Sequence, residues 1–255
     1  MSLALKLALS PVLLAQALWA RWRVPRLPEA DGPREGQVGA GEDCRLLVIG
    51  DSSAAGVGVD CQQQALAAPL AAQLARRCAR RVHWRLLARS GINTLQAESL
   101  WQEAGAPVAH LVVVVTGVND VVDQVSPHRA MAARRALAAR LMQHAGAQHL
   151  VFAALPPMGR FAGLAQPLRW MAGRDAGVHD QALADWADAT GGVSRLGFDL
   201  PLDAALLAHD GFHPGPQVYA AWALALATHL HVQLQAGVAQ SRGIGRGLPS
   251  RSMAT

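Results

Sequence analysis

A run of five aliphatic residues, Leu111-Val112-Val113-Val114-Val115, constrains the fold more than any other stretch of the chain. Successive side chains of a strand point to opposite faces, so a strand that is apolar at every position must be covered on both. The central strand of a parallel sheet, with helices packed on its two sides, meets that requirement. Residues 45–49, 82–88, 149–154 and 193–197 read as further short strands beside one spanning 110–115. Helical periodicity separates them at 62–77, 94–103, 127–144, 175–189 and 216–234. This alternation predicts an α/β fold with right-handed crossovers, helices on both sides of a parallel sheet, and a site at the C-terminal strand ends.

With 51% hydrophobic and 16% charged residues over 255 positions, the chain can bury one sizeable core and still leave tails. A net charge of +5 raises the question of a nucleic-acid partner. The distribution argues against one: Lys6 is the only lysine and the arginines are scattered. Arg76, Arg77, Arg80 and Arg81 do cluster, but at the end of a helical segment, where cations complement the helix dipole. The aromatic set is rich in Trp and is not interleaved with basic residues as a base-stacking platform requires. Cys44, Cys61 and Cys78 form no CxxC pair, and the ten histidines include no HExxH, so no metal site is expected.

Four segments follow from composition. Residues 1–24 are an apolar N-terminal stretch, 25–42 a linker rich in Pro, Gly and charge, 43–235 the folded domain, and 236–255 a Gly/Ser/Arg-rich tail expected to be disordered. The apolar stretch approaches the length of a membrane span but is interrupted by Lys6 and Pro11. Arg21, Arg23 and Arg26 follow it, which favours a membrane-associated protein on the cytoplasmic face, touching lipid through residues 3–20. Two alternatives stay open: a signal peptide cut near Ala15-Gln16-Ala17, giving an exported protein, and a helix that packs on the domain.

Chemistry gathers at the expected strand ends. The first of the five strands runs into Gly50-Asp51-Ser52-Ser53, with Gly56 and Gly58 close behind, a glycine-flanked turn that presents a small hydroxyl residue. The strand at 110–115 leads to Gly117-Val118-Asn119-Asp120, and Asp210-Gly211-Phe212-His213-Pro214 precedes the last helix. Ser52, His213, Asp210 and Asn119 thus supply a nucleophile, a general base, a carboxylate to orient it and an oxyanion donor. Asp51 and Asp120 are read as loop-holding residues. Each piece has a plainer reading taken alone: a phosphate-cradling loop, an ordinary turn, a helix start. The set carries the inference.

In these blocks the chain resembles the SGNH (GDSL-like) hydrolase family over roughly residues 46–226. Gly50-Asp51-Ser52 resembles its nucleophile block, with Ser53 where Leu is commoner. Gly91, in Ser90-Gly91-Ile92-Asn93, resembles the block that gives a backbone donor; Gly117-x-Asn119-Asp120 and Asp210-x-x-His213 resemble the third and last. The resemblance implies a flavodoxin-like three-layer α/β/α sandwich and hydrolysis of carboxylic esters or thioesters without metal or cofactor. It also implies catalysis by Ser52, Asp210 and His213, and an oxyanion hole of Ser52, Gly91 and Asn119. The small-molecule ester is the expected partner. A flavodoxin-like FMN or phosphate binder and a catalytically silent scaffold for partner binding are the alternatives.

Residues 155–170 read as a loop broken by Pro156, Pro157 and Pro167, yet they carry many large apolar groups. Either the loop caps the sheet, or Met158, Phe161 and Leu164 line a wall beside Ser52 that binds short-to-medium acyl chains.

Overall fold

The structure is a computed structural model describing residues 3–23, 25–161, 163–197 and 204–244. Helix α1 (Leu3–Arg23) opens the chain, followed by strands β1 (Glu35–Val38) and β2 (Asp43–Gly50), the one-turn helix α2 (Ser52–Ala55) and α3 (Ala67–Cys78). Strand β3 (Arg81–Ala88) leads to α4 (Ala97–Glu103), and β4 (Leu111–Val115) to the short α5 (Val118–Val122) and to α6 (Pro127–Arg140). Then come β5 (His149–Ala153), α7 (Leu168–Asp188), β6 (Val193–Leu196) and α8 (Pro216–Ile244).

The strands form one six-stranded sheet in the order β1-β3-β2-β4-β5-β6. All neighbours are parallel except β1, which lies antiparallel on the edge against β3. Alternation along the central strands divides the interior in two, as their continuous apolar character requires. Leu46 and Val48 of β2 and Leu111, Val113 and Val115 of β4 join Leu70 and Leu74 of α3 and Tyr219 and Leu226 of α8. Leu47, Ile49, Val112 and Val114 face the other way, onto Trp101 of α4, Leu137 of α6 and Leu183 of α7. The result is the expected three-layer sandwich. From β2 the chain goes first to β3 on one side and then crosses to β4 on the other, so the topological switch point lies between the ends of β2 and β4.

The stretch read as a linker, residues 25–42, is part of the domain. Its β1 pairs Glu35 to Val38 with Arg85 to Val82. Fully buried Gln62 donates its side-chain amide to the carbonyls of Ala30 and Ala55, both at 3.0 Å, and so ties this stretch to the segment after α2. Composition concealed this because the attachment is made by backbone groups; β1 itself buries almost nothing. The last helix also extends past the expected start of the disordered tail, to Ile244, and residues 245–255 lie outside the described set. Helix α3 starts five residues later than its periodicity suggests, since residues 62–66 form turns around Gln62. Helix α7 starts earlier, at Leu168. Among the described residues no helix is long and apolar enough to cross a membrane.

At the end of β2, Gly50 is required by close approach rather than by an unusual backbone angle. A Cβ there would stand 2.5 Å from the Val115 carbonyl oxygen and 2.6 Å from the Ala54 Cβ. Gly50→Ala must therefore push β2, β4 and α2 apart. A stability loss of about 1–3 kcal/mol in urea denaturation is expected for such overpacking; unchanged stability would mean the strand ends have room to spare.

Candidate active site

Asp51 follows directly on β2 in extended conformation and caps α2, its carboxylate accepting the Ser53 N–H at 3.0 Å. Ser52 is thereby the first residue of a helix, where a backbone N–H has no intrahelical acceptor. Its Oγ stands 2.9 Å from His213 Nε2, and His213 Nδ1 stands 2.6 Å from Asp210 Oδ2. The other Asp210 oxygen accepts the backbone N–H groups of Phe212 and His213 at 2.9 and 3.0 Å. One carboxylate thus shapes the turn and orients the imidazole. Burial pushes the Asp210 carboxyl up, but the His213 contact and the two N–H groups outweigh it, and the net effect lowers its pKa. Asp210 is held ionised at neutral pH.

Asn119 lies in the first turn of α5 and donates one amide hydrogen to the Ile92 carbonyl at 2.8 Å. That bond draws the loop after β3 towards the switch point. Gly91, in the same loop, has φ +83°, the left-handed region that glycine tolerates best. Ser90 is fixed beside it by its N–H, which Glu29 accepts at 2.6 Å. Ser52, Asn119 and His213 line one cavity; Gly91 stands in the adjoining turn and is not among its walls.

Behind Asn119 lies a buried polar group that the motifs alone do not disclose. Asp120 accepts the Thr94 N–H at 2.8 Å, the Thr94 hydroxyl at 2.6 Å and Arg134 Nη2 at 3.0 Å. Thr116, at the end of β4, meets the Thr94 hydroxyl at 2.9 Å. Asp120 and Arg134 are both fully buried. Burial lowers the Arg134 pKa and the Asp120 charge opposes that shift. A signal for this pair does exist in the sequence: Arg134 falls on the apolar face of α6 among Ala130, Met131, Leu137 and Ala138. A guanidinium on a core-facing stripe demands a buried acceptor.

The cavity at Ser52 measures about 860 Å³. Met158, Phe161 and Leu164 form part of its wall, and they also pack with Val121, Leu155 and Ala172 in a small apolar cluster. Phe161 meets Phe212, the neighbour of His213, edge-on at 5.5 Å. These side chains are core on one side and cavity wall on the other. The facing wall comes from α1, through Leu13, Leu14, Ala17 and Leu18, which no sequence signal placed there. Asp203, a further carboxylate near the last motif, lies outside the described residues.

A serine, an imidazole and an ionised carboxylate in hydrogen-bonded series at the switch point of a doubly wound sheet make up the constellation of an acyl-transfer enzyme. Residues 48–221 match the GDSL-like Lipase/Acylhydrolase family, and the chain belongs to that family as an ester hydrolase. Membership sets aside the flavin- or phosphate-binding alternative. Solved structures share the fold at low identity. The lipase Lip_vut3 from a goat rumen metagenome is 13% identical, with a TM-score of 0.56, covering 74% of this chain and 97% of that one. The psychrotrophic esterase EstA from Pseudoalteromonas sp. is 16% identical, with a TM-score of 0.53, covering 76% and 100%. A carbohydrate esterase family 2 enzyme with its carbohydrate-binding domain, from Corynascus thermopiles (Myceliophthora fergusii), is 15% identical, with a TM-score of 0.59, covering 82% and 69%. No curated protein matches the chain.

Asp51 titrates unusually for a capping residue. Burial raises its pKa from 3.8 to about 7, against the opposing pull of the Ser53 N–H and of His213. The folded state thus favours protonated Asp51, and this contribution to stability, complete below the unfolded value, is lost as pH rises towards about 7. Asp51→Asn keeps a capping acceptor and removes the titration. Relative to wild type, its stability in urea denaturation should improve steadily between about pH 4 and pH 7 and then level off. A difference independent of pH would show that Asp51 remains ionised throughout.

Proposed function

We propose that the chain hydrolyses carboxylic esters or thioesters of short-to-medium acyl chains through an acyl-enzyme on Ser52. The observation that carries this reading is the series Asp210–His213–Ser52, with contacts of 2.6 and 2.9 Å, opening onto a largely apolar cavity. Ser52 Oγ attacks the acyl carbonyl carbon as His213 Nε2 takes its proton, and Asp210 stabilises the imidazolium through Nδ1. The oxyanion is received by the Ser52 and Gly91 N–H groups and by the second amide hydrogen of Asn119. Collapse expels the alcohol or thiol, which leaves with the proton from His213. Water, deprotonated by the same imidazole, then releases the acid and restores Ser52.

The apolar wall of Met158, Phe161 and Leu164 supports acyl chains rather than acetylated sugars as substrates, because each covered methylene adds about 0.8 kcal/mol of transfer free energy. A fluorophosphonate probe should label wild type and Ser53→Ala at Ser52, while Ser52→Ala loses both labelling and esterase activity. Dead Ser53→Ala would move the nucleophile by one residue. Asn119→Ala should lower kcat by about 10²–10³ with little change in KM; a loss below tenfold would remove Asn119 from the oxyanion site.

For location, the reading is an interfacial one: α1 lies on a membrane surface and does not cross it. Val12, Trp19 and Trp22, which lie off the cavity wall, are 47%, 46% and 84% exposed along this helix, and arginines follow. The full chain should float with anionic phospholipid vesicles and do so less after Trp22→Ser. Equal recovery of both proteins in the unbound fraction would argue for a protein that does not rest on lipid.

A further inference from the structure

We propose that α1 is the outer wall of the acyl site and sets the chain length the enzyme accepts, an inference that rests on the esterase reading of Ser52. Ser10, Leu13, Leu14, Ala17 and Leu18 recur at intervals of three and one, which places them on one stripe of a helix. That stripe faces the cavity that also holds Ser52 and His213.

The way α1 is attached argues against a helix present only to complete the core. Of its side chains from 9 to 19, only Leu13 is buried. It packs mainly on α7. Gln16 gives it a polar tie to the start of α7: its side chain accepts the Leu168 N–H at 3.1 Å and donates to the Gln166 carbonyl at 2.6 Å. Leu168 is the first residue of α7, so Gln16 satisfies an amide that no intrahelical acceptor reaches. A helix docked for stability would close the space beneath it, since protein interiors pack to crystal density. Here about 860 Å³ stays open between α1 and the catalytic serine, a volume within the range of small-molecule sites.

An ester bound for attack must have its carbonyl carbon at Ser52. The acyl chain then runs along Phe161 and Leu164 on one side and the α1 stripe on the other. An acetyl group is too short to need the stripe, whereas a longer chain depends on it for cover. Each methylene so covered favours binding about fourfold. Leu13, Leu14 and Leu18 are therefore specificity-determining residues, and Ala17 marks where the chain passes under the helix.

The test uses the full chain and p-nitrophenyl esters from acetyl to dodecanoyl, with fluorophosphonate labelling of Ser52 run in parallel. Ala17→Phe adds bulk to the stripe and should lower kcat/KM at least tenfold for octanoyl and longer esters while the acetyl ester stays within twofold. The triple variant Leu13→Ala, Leu14→Ala, Leu18→Ala should flatten the rise in kcat/KM with chain length, again sparing acetyl hydrolysis and labelling. An unchanged length profile in both variants, with wild type labelled normally, overturns the role of α1 and leaves the esterase reading standing. Equal loss on every ester, with slower labelling, also overturns it and makes α1 a structural helix. A wild type that neither labels nor hydrolyses any ester overturns both readings.

Discussion

The Asp51 N–H donates to the Val115 carbonyl at 3.0 Å, the last rung between the two central strands. Beyond it the backbones part, one into the helix that begins with Ser52 and the other towards the helix that carries Asn119. The separation of nucleophile and amide is thus set by a rigid backbone contact, and the glycine before Asp51 exists so that the contact can be that close. His213 reaches the same point from a distant part of the chain. Its loop is pinned by a pairing of Leu207 with Pro214 and by the Ala208 N–H on the His213 carbonyl at 2.9 Å. Three separate segments meet, and each is fixed by main-chain hydrogen bonds, which leave little freedom for drift.

Support for the amide side is ionic. The fully buried Asp120 and Arg134 contribute little net stability as a pair, because desolvation offsets their attraction; losing one partner would cost about 3–5 kcal/mol. What the pair does is join the loop after β3, the end of β4 and α6 into one unit under Asn119. Arg134 Nε and the nearby His179 Nδ1 have no partner among the described residues, so this region is polar beyond what its hydrogen bonds use.

Much of this architecture could be read from residues 43–235. The all-aliphatic β4 announced a doubly covered strand, and the helices on its two faces followed from periodicity. The Ser, Asn and Asp-His blocks could be placed because each follows directly on a strand or precedes a helix. Two things could not be read. Strand β1 is held by backbone pairing, to which Pro, Gly and charge counts are blind. The docking of α1 includes a glutamine that meets the start of α7, 152 positions away, and nothing local encodes that meeting. Arg134 is legible in principle, since its helical phase is that of a core residue.

Strand β1 has a consequence for solubility. An open sheet offers unpaired N–H and C=O groups along both margins, and a long flat margin templates the addition of strands from other chains. Here one margin is a four-residue strand carrying Glu35 and Gln37, and the other is the equally short β6, which carries Arg195 in an ion pair with Asp180. Neither offers an apolar ladder of useful length. Self-association by strand addition is thereby discouraged on both sides, and none of the exposed large hydrophobic side chains among the described residues lies on a strand, so none extends an open ladder.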